Sequence, residues 1–369
     1  MATLLLAMAI PSAALASTTA SEETEDIYAL YYKNAAGNYT LVIQLGDQDN
    51  SAGKYGTYEP ASTTLICGGE GNEEEGIEDL CHCFDWNSGS APHASEITAV
   101  HVSKSPGLGY YVAPHALSGW FQGFTKCTTF DLSGLETGNA RFMANAFQDC
   151  QSLRSFDFNT IDTSKAFNLT SMFEGCTSLE SVNFAVDGSI SFAYGMFKGC
   201  TSLKSIDTTS VNPVAIDRMD EMFMNCTSLK SANLSGIDTE YGSSATSVFS
   251  GCTALEEVNL SNFSTIDESG EYGLFSEYGN GIDNFFKGCS ALKKIILGDR
   301  CDMSSVIPMP SSTFIPNATG KWVNEKGQAF SSRSIPGYTA GTYTAQVTTS
   351  TPSQNTKPTT PGGAAGNST

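Results

Sequence analysis

Between Trp120 and Leu292 the apolar residues return in one fixed order: a phenylalanine, a cysteine three positions on, and a leucine three positions after that. The order stands as Phe147-Cys150-Leu153, Phe173-Cys176-Leu179, Phe197-Cys200-Leu203, Phe223-Cys226-Leu229, Phe249-Cys252-Leu255 and Phe286-Cys289-Leu292. Successive cysteines are 26, 24, 26, 26 and 37 residues apart. A near-constant period of this length is the signature of stacked repeats, in which no unit can bury its apolar side alone and each covers the next. An earlier, degenerate unit aligns Phe121, Phe124 and Cys127 with the Phe, Cys and Leu columns, so about seven coils are expected.

After each leucine the pattern changes to strict alternation, as in Phe156-Asp157-Phe158, Val182-Asn183-Phe184, Ala232-Asn233-Leu234 and Val258-Asn259-Leu260. Period two is the mark of a strand with one face buried. It turns Asp157, Asn183, Asp207, Asn233 and Asn259 outward as one column, with Ser155, Ser181, Ser205, Ser231 and Glu257 beside them. Seven strands at roughly 4.8 Å spacing would make an array on the order of 35 Å long. Short polar side chains lose little rotamer freedom when they bind, so Asp157, Asn183, Asp207, Asn233, Asn259, Ser181, Ser205 and Ser231 are the candidate contact residues for an extended polypeptide or glycan. A merely soluble face would carry the same residues. The long interval holds about eleven extra residues, and Tyr272, Phe275 and Tyr278 within it are either loop contacts or side chains folded back on the array.

The motifs Met172-Phe173-Glu174-Gly175-Cys176-Thr177-Ser178-Leu179 and Met222-Phe223-Met224-Asn225-Cys226-Thr227-Ser228-Leu229, each followed by an alternating strand, closely resemble the BspA-like leucine-rich repeats of bacterial surface proteins. The resemblance covers roughly residues 116–299. Tyr28 to Gly46 with Trp86, and Leu297-Gly298, Gly320-Lys321-Trp322 and Ala340-Gly341-Thr342-Tyr343, resemble the strand-rich segments that flank such arrays. The fold expected is therefore a leucine-rich repeat solenoid, with a β-strand and a short helix or turn per coil, between β-rich capping segments at 27–115 and 300–345. What the resemblance implies for function is a surface protein engaged in adhesion, with a host extracellular-matrix or surface protein, or a glycan, as partner.

Composition narrows the classes. With 19 basic and 39 acidic residues the net charge is −20, which disfavours nucleic acid and anionic membrane surfaces. The stretch 1–16, ending Ala14-Leu15-Ala16, reads as a secretory signal peptide although no basic residue precedes it, and 17–26 as an acidic linker. Residues 346–369, rich in Thr, Ser, Pro and Gly, read as a stalk too polar to fold. Together these point to a secreted or cell-surface location, of the Gram-positive type, with no later membrane-inserting segment.

Candidate chemistry is thin. Six of eleven cysteines occupy one repeat column, either as small buried thiols or as pairs close enough for some disulfides. Cys67, Cys81, His82, Cys83 and His93 gather outside the repeats, but their spacing fits no standard zinc site, and a local disulfide competes with a metal. The four histidines precede the repeats and no nucleophile, zinc or phosphate-loop motif is present, so no cofactor and no catalytic residue is assigned. Four of eight N-x-S/T sequons, at Asn225, Asn233, Asn259 and Asn262, fall within the repeat consensus itself. The readings carried forward are a non-enzymatic adhesive or binding surface protein, a passive spacer, and, least supported, a carbohydrate-active enzyme.

Overall fold

The computed structural model describes residues 27–45, 54, 57–58, 64–67, 94–104, 111–209, 213–266, 281–311 and 313–348. Cys81, His82, Cys83, His93, Trp86, Tyr272, Phe275 and Tyr278 lie outside them. The chain opens with β1 (Ile27–Lys33) and β2 (Tyr39–Leu45), an antiparallel hairpin whose turn is held by the Asn34 side-chain oxygen, which accepts the N–H groups of Ala36 and Asn38. Then come β3 (Thr57–Tyr58), β4 (Thr64–Cys67), β5 (Ile97–Val102) and β6 (Thr129–Asp131). Both β3 and β4 pair with β1, and on its other side β2 pairs with β5 and β5 with β6, both in parallel. This sheet converts an antiparallel hairpin into the parallel pairing that the repeats require.

Through the repeats run β7 (Ser155–Asp157), β8 (Ser181–Asn183), β9 (Ser189–Phe192), β10 (Ser205–Asp207), β11 (Val214–Arg218), β12 (Ser231–Asn233), β13 (Ile237–Asp238), β14 (Glu257–Leu260) and β15 (Lys294–Leu297). They form parallel ladders with a register of one repeat. In the first, β7 pairs with β8, and β10, β12, β14 and β15 pair in succession, with Ser205 opposite Ser231, Glu257 and Lys294 in turn. In the second, β9, β11 and β13 pair, extended by single bridges from Ala116 to Phe142, Asn168 and Phe192 and from Arg218 to Ser244. Buried threonines sew the second side together: Thr137 Oγ1 donates to the Asp162 carbonyl at 2.8 Å and accepts the Asp162 N–H at 2.7 Å. Thr239 makes the same pair of bonds to Ser264, at 2.8 and 2.9 Å.

The third side is where a short helix or turn was expected, and it is all turn. Two residues per coil, four apart, take left-handed backbone angles: Gly119 and Gly123, Asn145 and Asp149, Ser171 and Gly175, Gly195 and Gly199, Glu221 and Asn225, Ser247 and Gly251, Asn284 and Gly288. An α-helix cannot pass through such positions. Instead the N–H groups alternate. Those of Glu174 and Cys176 close local bonds to Ser171 and Phe173, whereas those of Ser171, Phe173 and Gly175 reach forward to the carbonyls of Tyr194, Met196 and Lys198 in the following coil at 2.8, 2.8 and 2.9 Å. Seven pairs of left-handed residues mark seven such turns. Glycine at 175 and 251 also leaves room for a neighbour, since a Cβ there would lie 2.2 Å from Asp149 Oδ1 and 2.3 Å from Asn225 Oδ1 and displace those side chains.

Inside, the phenylalanine column stacks face to face. Ring centroids are 5.3 Å apart from Phe147 to Phe173, then 5.5 Å to Phe197, 5.4 Å to Phe223, 5.4 Å to Phe249 and 5.9 Å to Phe286, with planes within 9° of parallel. The repeat cysteines are free thiols, and each donates its S–H to the phenylalanine carbonyl of the preceding coil, as Cys176 to Phe147 at 3.0 Å and Cys226 to Phe197 at 3.1 Å. Cys127, Cys150, Cys176, Cys200, Cys226, Cys252, Cys289 and Cys301 are all buried and free. Burial raises the thiol pKa values of Cys127, Cys150, Cys176, Cys200, Cys226, Cys289 and Cys301, pushing Cys127 up to about 12.

Beyond the repeats, β16 (Ala318–Asn324), β17 (Ala329–Phe330) and β18 (Gly341–Val347) close the first ladder. β18 pairs antiparallel with β15 and then with β16, and the two-residue β17 is left as the edge. So short an edge offers little to pair with. Trp322, fully buried, donates its indole N–H to the Pro308 carbonyl at 3.0 Å and pins this cap.

Phe197→Ala should lower the unfolding free energy by about 3–5 kcal/mol in a denaturant titration, because its cavity opens in the middle of the ring stack. A loss below about 1 kcal/mol would mean that the stack is not the core. In the parent protein the eight buried thiols from Cys127 to Cys301 should resist alkylation until the chain is unfolded.

Candidate functional site

The first ladder presents a regular polar surface in three columns. Ser155, Ser181, Ser205 and Ser231 lie on its midline, and their hydroxyls make no hydrogen bond among the described residues. Two residues on stand Asp131, Asp157, Asn183, Asp207, Asn233 and Asn259. The structure thus brings together the residues that the alternation singled out, with Glu257 and then Lys294 continuing the serine column.

Most of the Asp/Asn column has a second task that alternation alone did not reveal. The Oδ1 of Asp157 accepts the N–H of Asn159 at 3.0 Å, that of Asp207 the N–H of Thr209 at 2.9 Å, and that of Asn259 the N–H of Ser261 at 3.0 Å. Asn233 accepts from Ser235 N–H and Oγ at 3.3 and 2.9 Å, and Asp131 from Ser133 N–H at 3.1 Å. These are Asx turns that end each strand and redirect the chain. Asn183 differs: its Nδ2 donates to Asp157 Oδ1 at 2.8 Å and ties two coils. At the cap, His101 Nδ1 lies 3.3 Å from Asp131 Oδ2. What remains free for a ligand is therefore the serine hydroxyls, the amide nitrogens of Asn233 and Asn259, and the second carboxylate oxygens of Asp157 and Asp207.

A third column escaped the sequence reading. The residue after each column leucine, one before the strand, is charged in six consecutive coils: Arg154, Glu180, Lys204, Lys230, Glu256 and Lys293. Their backbones are hydrogen-bonded in order, from Glu180 N–H to the Arg154 carbonyl at 2.8 Å through to Lys293 N–H on Glu256 at 2.9 Å. Glu180 bridges Arg154, at 3.0 Å, and Lys204, while Glu256 pairs with Lys293. The signal was available, because the leucines were already aligned and the position beside them is never apolar from Arg154 onward.

Residues 141–276 match the family model for the BspA type leucine rich repeat region, in six copies. These are BspA-type leucine-rich repeats. Comparison with curated proteins finds no match to the chain. BspA-type repeats are commonly carried by surface-associated proteins and are typically non-enzymatic. Among the described residues no helix is long and apolar enough to cross a membrane, and no group of three or more His, Cys, Asp or Glu side chains is arranged to hold a metal ion.

Removing one Asx turn, as in Asn233→Ala, should cost about 0.5–2 kcal/mol by the measure of other side-chain caps, read from the shift of the unfolding midpoint. Acid should weaken the same turns. The Asn159 N–H holds the Asp157 carboxyl below its ordinary range, and Lys204 and Lys293 do the same for Glu180 and Glu256. A depressed folded-state pKa contributes stability above the unfolded value and loses it as pH falls through the folded one. Unfolding midpoints should therefore drop below about pH 4, less steeply in Asp157→Asn, and a profile flat to pH 2 would contradict the assignment.

Proposed function

We propose that this chain is an exported cell-surface protein whose BspA-type repeats form a leucine-rich repeat solenoid and bind a host protein or glycan through the strand face. In this reading residues 1–16 direct export, 27–115 and 300–345 cap the array at 116–299, and 346–369 serve as a stalk. The observation that carries it is the serine column, a run of exposed hydroxyls in register from coil to coil with no hydrogen-bond partner among the described residues. An extended partner lying along the stack would meet the same group at every step. The net charge of −20 weighs against nucleic acid as that partner. Asp157, Asn183, Asp207, Asn233 and Asn259 are proposed to act beside the serines, through the atoms that the turns leave free.

One observation favours a second reading, a passive spacer: the Asx turns give the Asp/Asn column a structural purpose that needs no ligand. The two are separated by screening the full chain against immobilised matrix proteins and glycans, beside a variant with Ser181, Ser205 and Ser231 replaced by Gln. Serine is the right target because its removal disturbs no turn. Binding by the parent that the variant loses supports the strand face. Retained binding would move the contact elsewhere, and a blank screen at high micromolar concentration would favour the spacer.

A further inference from the structure

The charged column beside the strand face is unbalanced. Arg154, Lys204, Lys230 and Lys293 stand against Glu180 and Glu256, an excess of two positive charges in a chain whose net charge is −20. Four of the 19 basic residues of the whole sequence thus lie on one line one residue wide. Their side chains reach solvent: Arg154 is 75% exposed, Lys204 65% and Lys293 47%. At the centre Lys204 and Lys230 are neighbours with no carboxylate between them, since Lys230 N–H bonds directly to the Lys204 carbonyl at 2.9 Å. Lys230 has no ion-pair partner among the described residues; the nearest influence is the field it exerts on Glu256. Like charges stacked in adjacent coils destabilise the array; Glu180 offsets Lys204 from one side and the field of Glu256 acts on Lys230 from the other, which leaves Lys230 the cation of the column with no ion pair among the described residues. The adjoining pair, Glu257 with Lys294 at 3.2 Å, is balanced and adds no net charge.

The opposite edge of the same face is of the other character. Asp157 and Asp207 lie three residues along the strand from Arg154 and Lys204, about 10 Å away, with the serine hydroxyls between. Across its width the face therefore runs from cations through hydroxyls to carboxylates and amides. A uniform polyanion would gain on one edge and be repelled on the other. A polymer with acidic groups along one side and hydroxyls along the other meets complementary chemistry at both.

We propose that the strand face binds an acidic polysaccharide lying along the stack, with its carboxylate or sulfate groups on Lys204 and Lys230 and its hydroxyls against Ser205, Ser231, Asp207 and Asn233. The proposal rests on the reading that this face is a binding surface, and adds the class of ligand. Sugar hydroxyls donate to the free Oδ2 of Asp207 and accept from the amide of Asn233, while the cations are left to the acidic groups. An extended peptide fits less well, because its side chains on one face repeat at roughly 6.6–6.8 Å, out of step with coils that recur at the strand spacing.

The test is equilibrium binding of the full chain to heparin, polygalacturonate, neutral dextran and poly-glutamate, at two salt concentrations. Three proteins are compared: the parent, the double variant K204Q/K230Q, and K326Q, which removes an exposed cation from the C-terminal cap; thermal unfolding checks that each is folded. The expected result is saturable binding of heparin or polygalacturonate, weakened by salt, about tenfold weaker in K204Q/K230Q and unchanged in K326Q, with dextran and poly-glutamate not bound. Heparin alone would assign the sulfated source and polygalacturonate alone the carboxylated one. Equal binding of poly-glutamate would overturn the glycan class, and undiminished binding by K204Q/K230Q would overturn the basic column as its seat. If the Ser181/Ser205/Ser231 variant loses a neutral glycan or a matrix protein while no acidic polymer binds, the ligand class fails and the binding reading stands. If no partner of any kind binds, both fail.

Discussion

Everything in this molecule depends on each coil handing its backbone to the next in the same register. A strand of three residues cannot hold itself in water; it persists because its N–H and C=O groups are met by equivalent strands one repeat away. That requirement propagates inward. If backbones recur at one strand spacing, side chains recur too, and the only side chains that fill a column without strain are those that pack against copies of themselves. Phenylalanine does so by parallel stacking, leucine by dispersion, and cysteine by being small enough to sit behind the ring and donate its S–H to the carbonyl there. The thiols are thus components of the hydrogen-bond network, and their pairing with carbonyls explains why they are not paired with each other.

The same register sorts the polar residues into kinds. Thr137, Thr239 and Thr265 are buried and each makes two bonds to the adjacent coil, so they act as backbone substitutes. Asp and Asn at the strand ends serve their own coil by turning the chain. Among the described residues of the strand face, the serines keep their whole hydrogen-bonding capacity, while Asp157, Asp207, Asn233 and Asn259 keep one atom each.

The columns of Phe, Cys and Leu, the alternating strands and the number of coils were legible because each depends on residue type recurring at one position. The turn side was not. Its first left-handed position is filled by Gly119, Asn145, Ser171, Gly195, Glu221, Ser247 and Asn284, a set with no common chemistry, so the backbone there is imposed by the inter-coil bonds and not by local preference. The strand face was legible in place but not in full meaning. Asp157-x-Asn159, Asp207-x-Thr209, Asn233-x-Ser235 and Asn259-x-Ser261 carry the spacing of Asx turns, yet period-two alternation accounts for the same residues as merely outward-facing. The charged column went unread because a charge beside a buried leucine is ordinary in any one coil and becomes informative only when the coils are stacked.

The turn side also makes the array electrically unlike a sheet. In the strand ladders N–H groups point alternately toward both neighbours, as Glu180 does toward Arg154 and Thr208 toward Asn233, and their peptide dipoles largely cancel. On the turn side every inter-coil N–H, from Gly119 to Gly251, points the same way, toward the later coil. Dipoles of about 3.5 D each therefore add from one coil to the next, as they do along a helix but across separate turns of chain. The array has a positive pole at its C-terminal end and a negative pole at its N-terminal end, and this polarity grows with every repeat inserted, whatever side chains the new repeat carries.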